Sequence, residues 1–226
     1  MTIQFATLQH AKSIADVQER VWPEEESNLG RIEAVLQDDN HVTLVAIVNQ
    51  QVAGFVDAFE TTSATGVLRW EIDLLAVDPA FQGRGLGKQL TLAVTKAGQQ
   101  RNRMLARGLV AVNNIASQRT FARCGYQSDH VEHGLYIYSD DYAPAQPVIA
   151  SKKNLIAVST LRYQGLWVEN SWRAEQLKLA QQLKEETQQD VVGAVIPLHQ
   201  AESVENAIKA GFFFVGCYHW WKLNLK

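Results

Sequence analysis

The spacing of apolar residues predicts two short helices and then a β-hairpin at the start of the chain. Apolar residues recur at helical spacing within 10–21 and again within 28–37. Two apolar runs, 42–48 and 52–60, flank a short polar turn and are typical of a β-hairpin. The first sixty residues therefore predict helices packed against a sheet.

A strong strand and a glycine-rich turn follow. The run LRWEIDLLAV (68–77) predicts a strand that ends at Asp78-Pro79, and the glycine-rich turn leads into a helix at 86–100. The other predicted elements are a strand at 108–112, a helix at 117–124, a closing hairpin of 126–131 and 135–138, and a linker at 139–147.

The last third of the chain resembles an earlier part of the chain, residues 89–126. QLKLA (176–180) matches QLTLA (89–93), and SVENAIKAGF matches SQRTFARCGY at a nearly equal separation. This order favours a duplicated β-α-β-α-β half over coincidence between two amphipathic stretches. We therefore predict two domains, 1–142 and 150–226. The second lacks its own first helices and hairpin, so it is expected to pack onto the first domain or onto the partner in a homodimer.

Composition narrows the class of protein. Hydrophobic residues make up 46% and charged residues 20%, which is ordinary for a globular protein. The two cysteines form no CxxC pair, which argues against a disulfide framework or a zinc site and suits a reducing cytosol. Without a signal-like or membrane-spanning apolar run, a cytoplasmic protein that binds no membrane is expected.

Charge is unevenly distributed along the chain. Residues 79–128 contain eight Lys or Arg and no Asp or Glu, whereas residues 1–78 contain 13 acidic and four basic residues. This predicts a site for a polyanion in the middle of the chain, the alternative being a solvated basic helix face. Nucleic acid is disfavoured, because the basic residues are not interleaved with aromatic ones and the pI is about 6.1.

The segment from Gln82 to Lys88 has the chemistry of a pyrophosphate-binding loop. Glycines allow the backbone to approach a ligand closely, and the free N–H groups of a helix N-terminus bind phosphate. A P-loop needs GxxxxGK followed by Ser or Thr, but Gly83 and Gly87 are one position too close and Gln89 follows Lys88. The dinucleotide fingerprint GxGxxG does not fit either.

The loop instead resembles the acetyl-CoA loop of the GNAT superfamily of N-acetyltransferases, (Gln/Arg)-x-x-Gly-x-(Gly/Ala), with Gln82, Gly85 and Gly87 at its defined positions. Residues 114–126 resemble the second signature of that superfamily. The predicted element order also matches over roughly residues 1–142. The resemblance implies an α/β fold with a mixed sheet, the GNAT acyl-CoA N-acyltransferase fold, followed by a smaller GNAT-like half without the loop.

The resemblance further implies acetyl-CoA as co-substrate and assigns residues to it. The strand residues Leu75, Ala76 and Val77 would pair with the pantetheine arm. The pyrophosphate would be held by the loop residues Gln82, Gly83, Arg84, Gly85, Leu86, Gly87 and Lys88. The second signature would complete the site with Ser117 and, at the thiol end, Asn114 and Phe121.

Acetyl transfer to an amine needs a general base, since the attacking nitrogen must be neutral. Glu71 resembles the catalytic glutamate of the histone-acetyltransferase branch, and Asp73 is the rival candidate. Strand alternation predicts that Glu71, Asp73, Leu75 and Val77 share one face. Many family members protonate the leaving thiolate with a tyrosine where this chain has Phe121. Substitutes are Tyr126, Tyr136 and Tyr138.

The acceptor side is predicted from the acidic segment VWPEEESNLG. Glu24, Glu25 and Glu26 favour a cationic acceptor such as a polyamine, an aminoglycoside or a lysine side chain. No metal site is expected, because His130 and His133 have no partner cluster. The sequence thus predicts an N-acetyltransferase acting on a primary amine, the alternative being an acyl-CoA-binding regulatory module.

Overall fold

A computed structural model describes residues 1–139 and 150–225, which form an eleven-stranded mixed sheet with six α-helices on its faces. No helix in this part of the chain is long and apolar enough to cross a membrane. Apart from Ser139, the predicted linker lies outside the described residues. The elements are β1 (Thr2–Phe5), α1 (Ala11–Val21), α2 (Leu29–Val35), β2 (His41–Val48), β3 (Gln51–Thr62), β4 (Leu68–Val77), α3 (Leu86–Gln100), β5 (Leu105–Ala111), α4 (Ile115–Arg123), β6 (Gln127–Ser128), β7 (His133–Tyr138), β8 (Leu155–Ser159), β9 (Gln164–Val168), α5 (Ala174–Glu186), β10 (Val191–Pro197), α6 (Ala201–Lys209) and β11 (Phe213–Asn224).

Helices cover both faces of the first part of the sheet. On one face, α3 packs Leu90 and Val94 against Trp70 in an apolar core. On the other, α1 packs Ile14 and Val17 in a second core that also contains residues of α2 and β3. The predicted amphipathic helices therefore bury their apolar faces as expected, and the sheet separates two cores.

A β-bulge interrupts β4 at Asp73. Ile72 lies opposite Ala58 of β3 and Leu74 lies opposite Asp57, so Asp73 has no partner residue on that strand. A bulge inserts one extra residue and re-aims the side chains that follow it.

The bulge changes which residues share a face of β4. Trp70 and Ile72 belong to the core under α3, whereas Leu74 and Ala76 belong to the core under α1. A regular strand would have placed all four on one side. The prediction that Glu71, Asp73, Leu75 and Val77 share one face is therefore wrong, because Leu75 and Val77 pack on the α3 side with Trp70.

The two halves of the chain exchange their last strands. β11 lies between β5 and β7, pairing Tyr218–Asn224 with Leu105–Ala111 on one side and with β7 on the other. β7 in turn pairs with β10 of the second half. The predicted closing hairpin is therefore wrong, because β6 and β7 do not pair with each other and each pairs with β11.

The second half repeats the layout of the first more fully than its sequence indicates. β9 and β10 are parallel and joined through α5, as β4 and β5 are joined through α3. Contrary to the prediction, this half also has a hairpin, formed by antiparallel β8 and β9. One sheet thus runs through both predicted domains, 1–142 and 150–226; their separate folding stays a prediction.

Candidate active site

A cleft opens where β4 and β5 part. The two strands pair in parallel only where Arg69–Glu71 of β4 lie beside Leu105–Arg107 of β5. Beyond that point, Leu75, Ala76 and Val77 pair with β3 on one side, and no described strand pairs with their other edge. Backbone polar groups on an unpaired strand edge seek partners, so this edge can bind an extended ligand containing amides.

The loop after β4 presents a row of free backbone donors. Gln82 donates from Nε2 to the carbonyl oxygen of Val77 at 3.0 Å, and Gly83 and Gly85 have φ values of 75° and 76°. The N–H groups of residues 83–88 donate to no acceptor within the described residues. Such a row at the N-terminus of α3 is an anion-binding site, and the exposed side chains of Arg84 and Lys88 lie beside it.

Only part of the basic charge of 79–128 belongs to this site. Arg101 and Arg103 both pair with Glu60 at 3.1 Å. Arg107 pairs with Glu71 and with Glu169 of the second half. The predicted polyanion site therefore accounts for only part of this charge, because three of the eight cations pair with carboxylates from elsewhere in the fold.

Helix α4 begins at the carboxyl end of β5, beside the cleft. Exposed Asn114 caps it by accepting a hydrogen bond from the N–H of Ser117 at 3.0 Å. The structure places Phe121 differently from the prediction, because its ring is 3% exposed and packs edge-on against Tyr126 under β5. A Cβ at Gly108 would lie 2.7 Å from that ring, so only glycine fits there.

The tyrosines proposed as substitute acids are unsuited to proton transfer. The hydroxyl of Tyr126 is buried and hydrogen-bonded to Thr95 at 2.7 Å, and burial raises its pKa. Tyr136 and Tyr138 are each 3% exposed. A further tyrosine, Tyr218, was not predicted from the sequence as a candidate acid. It is half-buried on β11 opposite Ala111, within electrostatic reach of Arg162 and Glu25. Its position depends on the pairing of β11 with β5, which the sequence does not indicate.

Glu71 belongs to a buried ion-pair network. One carboxylate oxygen accepts from Thr61 at 2.6 Å and lies 3.1 Å from Arg69 Nε, and the other accepts from Arg107 at 2.7 Å. Both arginines also bind Glu169. Burial tends to raise the pKa of Glu169, but the two arginines outweigh this effect and bring the pKa below its usual range. The network joins the two halves of the chain at the base of the cleft.

We predict that Glu71→Gln lowers the free energy of unfolding by about 3–5 kcal/mol, because it leaves two buried arginines with one carboxylate. Urea denaturation measures the change. Glu132→Gln, at an exposed position, is the matched control and should lie within about 0.5 kcal/mol of the parent. Equal stability of the two variants would contradict a structural role for Glu71.

Asp73, at the bulge, has different surroundings from Glu71. It is partly exposed and has no hydrogen-bond or ion-pair partner among the described residues. Burial raises its pKa to about 7; the charge of Asp57 adds to the rise and those of Arg162 and His41 oppose it. Asp57 is itself held by His41 and Thr43, at 3.0 and 2.6 Å. A carboxyl group of this kind exchanges a proton near neutral pH.

The 160–163 turn, which joins β8 and β9, forms one wall of a pocket. Arg31 of α2 fixes this turn by donating to Thr160, Ser159 and Tyr163 at 2.7–2.9 Å. The turn faces the connection between α1 and α2, and together they form a pocket lined by Gln18, Trp22, Glu25, Glu26, Ser27, Asn28, Leu161 and Arg162. The acidic segment predicted to border an acceptor therefore lines a pocket, together with residues of the second half.

We predict that Gly87→Val weakens acetyl-CoA binding about tenfold or more without unfolding the protein. A Cβ there would make ordinary contacts, 3.7 Å from Thr120 and 3.9 Å from Leu75, but a larger side chain would obstruct the free N–H groups. Calorimetry measures the affinity, with exposed Gln89→Val in the same helix turn as control. Near-normal affinity would place the phosphates elsewhere.

Comparison with known proteins identifies the family. Residues 8–126, more than half of the chain, match the family model described as the acetyltransferase (GNAT) family. The chain belongs to this family. As a GNAT acetyltransferase it is an acetyl-CoA-dependent acyltransferase, and the unpaired edge of β4 and the free N–H groups of the loop fit that co-substrate. No curated protein matches the chain.

Solved structures share the GNAT fold at low sequence identity. An acetyltransferase from Pyrococcus horikoshii, described as putative, is 14% identical with a TM-score of 0.61, covering 100% of this chain and 89% of its own. A GNAT-family acetyltransferase from Streptococcus pneumoniae is 18% identical with a TM-score of 0.52, covering 59% and 87%. Aminoglycoside 6′-acetyltransferase type Ii is 18% identical with a TM-score of 0.50, covering 58% and 86%. The first of these shows the fold over the whole chain.

Proposed function

We propose that this GNAT protein transfers an acetyl group from acetyl-CoA to a primary amine of a cationic acceptor, with Asp73 as the general base. One observation supports this proposal above the others. A carboxyl group with a pKa of about 7 and no partner among the described residues lies at the bulge, next to the point where β4 leaves β5.

Asp73 has the properties that amine activation requires. An amine attacks only when neutral, and a base works best when its pKa lies near the working pH. Asp73 is ionised above about pH 7, so it can take the proton that the nitrogen loses. The groups that act on it are Asp57 on β3, Glu71 on β4, His41 on β2 and Arg162 on the 160–163 turn.

Glu71 is the weaker candidate for this role. Its two oxygens are committed to Thr61, Arg69 and Arg107, and its side chain is almost fully buried. Using it as a base would require the network that joins the two halves to open. We therefore assign Glu71 a structural role, which the predicted loss of stability in Glu71→Gln tests.

Bound acetyl-CoA would supply the thioester carbon that the amine attacks and the thiolate that departs as the C–N bond forms. Residues 75–77 would bind the pantetheine arm along the free edge of β4, and residues 82–88 would bind the pyrophosphate. The leaving thiolate is tolerably stable, so the proposal does not depend on a tyrosine at the position of Phe121.

The charge of the pocket supports a cationic acceptor. Glu25 and Glu26 line it together with the ring of Trp22, and both carboxylates and aromatic faces attract cations. The pocket lies on the side of the sheet where α1 and α2 pack, and Arg162 on its wall acts electrostatically on Asp73.

A panel of amines tests the proposal. The purified chain is incubated with acetyl-CoA and monoamines, diamines, polyamines, amino sugars and lysine peptides, and both free thiol and acetylated product are quantified. We expect stoichiometric thiol and N-acetyl product with the cationic members. Acetyl-CoA binding without turnover of any amine would instead support the alternative, a regulatory acyl-CoA-binding module.

A further inference from the structure

The guanidinium of Arg162 lies on the wall of the pocket that the acceptor is proposed to use, against the groups that would attract a cation there. It lies 4.4 Å from the centroid of the Trp22 ring, and Nη2 lies 2.8 Å from an oxygen of Glu25. The 160–163 turn that carries Arg162 is held in place by two contacts. Leu161 is 1% exposed in the core under α1, and Arg31 donates a hydrogen bond to the turn. The second half of the chain therefore delivers a cation onto an aromatic and acidic surface of the first.

That surface has the composition of a cation-binding site even without Arg162. An aromatic face beside a carboxylate is the arrangement by which proteins bind ammonium groups. The contact with Arg162 is also weakly held, because the two side chains of the ion pair are 34% and 49% exposed. An ammonium group of a ligand could replace the guanidinium and keep the same interactions.

A second observation points to a ligand in this pocket. Gln18 lines it and is 5% exposed, and its Nε2 has no hydrogen-bond partner in the described part of the chain. A buried donor without a partner is unfavourable unless a bound molecule satisfies it. This donor suits an acceptor atom of a ligand and not its ammonium group, so it points to a bound molecule and leaves the place of the cation to Trp22 and Glu25.

We propose that Arg162 is an internal placeholder for a second cation of the acceptor. In this arrangement the acceptor carries at least two amines: one is acetylated near Asp73, and a remote ammonium displaces Arg162 from Trp22 and Glu25. The inference rests on the proposed function and adds the class of acceptor and the residue that selects it. Monoamines, which cannot replace the guanidinium, bind more weakly.

Arg162→Ala is the first test, with Arg162→Lys as the matched variant that keeps a cation. A series of α,ω-diamines is compared with monoamines of the same length. We expect KM for diamines to fall about fivefold to thirtyfold in Arg162→Ala, because the ligand no longer has to displace an ion pair and a cation–π contact. KM for acetyl-CoA and for monoamines should not change, and Arg162→Lys should lie between.

The pH dependence gives a readout that a merely structural role would not move. Arg162 lowers the pKa of Asp73, against the opposing effects of burial, Asp57 and Glu71. In Arg162→Ala the acid limb of kcat/KM, which reports the free enzyme, should therefore move to higher pH. The acid limb of kcat with diamines should stay in place, since the bound ammonium restores the missing charge.

A higher or unchanged KM for diamines in Arg162→Ala would overturn the placeholder role, because Arg162 would then contact the acceptor directly or not matter. So would acetylation confined to acceptors with a carboxylate. Diamine binding is also measured by calorimetry without acetyl-CoA. Tighter binding to Arg162→Ala would support the inference even if the panel shows no turnover, so its failure and that of the proposed function remain distinguishable.

Discussion

A chain that ends at Gln146 should fail to fold, showing no cooperative unfolding transition and accumulating as aggregate. β11 pairs along the whole of β5, so its loss exposes a seven-residue strand edge in the middle of the sheet. The core under α3 also loses its contacts with Trp221 and Leu223. Removal of Glu169 further leaves Arg69 and Arg107 with a single buried carboxylate.

Circular dichroism and thermal melting of the truncated chain measure this effect. Co-expression of residues 1–146 and 150–226 as separate chains is the matched control, and we expect the two pieces to co-purify and recover activity. A soluble truncated chain with the activity of the full chain would show that β7 can take the position of β11. The two predicted domains would then fold independently.

Asp73→Asn should lower kcat by about 10² to 10⁴, the usual contribution of a positioned base. Asparagine has nearly the same size and has no carboxylate to accept the proton of the attacking amine. Since Asp73 lies before the part of β4 proposed to bind pantetheine, the affinity for acetyl-CoA should stay within about twofold of the parent, on the scale of surface changes.

Steady-state kinetics and calorimetry on Asp73→Asn measure the two quantities separately. Asp16→Asn removes a carboxylate from the surface of α1, where it pairs with Lys12, and should leave both unchanged. If Asp73→Asn keeps more than about a third of the parental kcat, Asp73 is not the base, and Glu71 or bulk water returns as the candidate.

Apart from β1, the element order of the first 125 residues could be predicted because local patterns determine it. The apolar spacing gave α1 to α4 and β2 to β4 within a few residues, and the glycines gave the loop before α3. Such features depend on neighbours in sequence. The turn between β2 and β3 has the same origin, since Asn49 and Gln50 adopt the positive φ values that a tight hairpin needs.

The strand exchange could not be predicted in this way. β7 and β11 are both apolar strands, and nothing in either sequence states which of them pairs with β5. Pairing is decided by which arrangement buries both cores and matches the network of Glu71, Arg107 and Glu169. The position of Arg162 over Trp22 follows from that long-range arrangement.

The bulge at Asp73 did leave a signal in the sequence. Strict alternation holds through Trp70 and Ile72 and is then broken by the adjacent apolar pair Leu74-Leu75. One extra residue in the strand explains that break, because it moves Leu74 to the core under α1 and Leu75 to the core under α3, the reverse of what regular alternation from Ile72 would give. Glu71 was proposed as the base from its resemblance to the glutamate of the histone-acetyltransferase branch, and alternation placed it on one face with Leu75 and Val77 only because it ignored the break.

The most direct test of the account is the pH dependence of kcat/KM for the acceptor at saturating acetyl-CoA, which reports the enzyme before the acceptor binds. Protonated Asp73 cannot accept a proton, so activity should rise as pH increases through about 7, the pKa that burial and Asp57 give this group. The residual activity of Asp73→Asn should lack this limb, whereas folded Glu71→Gln should keep it. A limb near pH 7 that persists in Asp73→Asn would contradict the central claim.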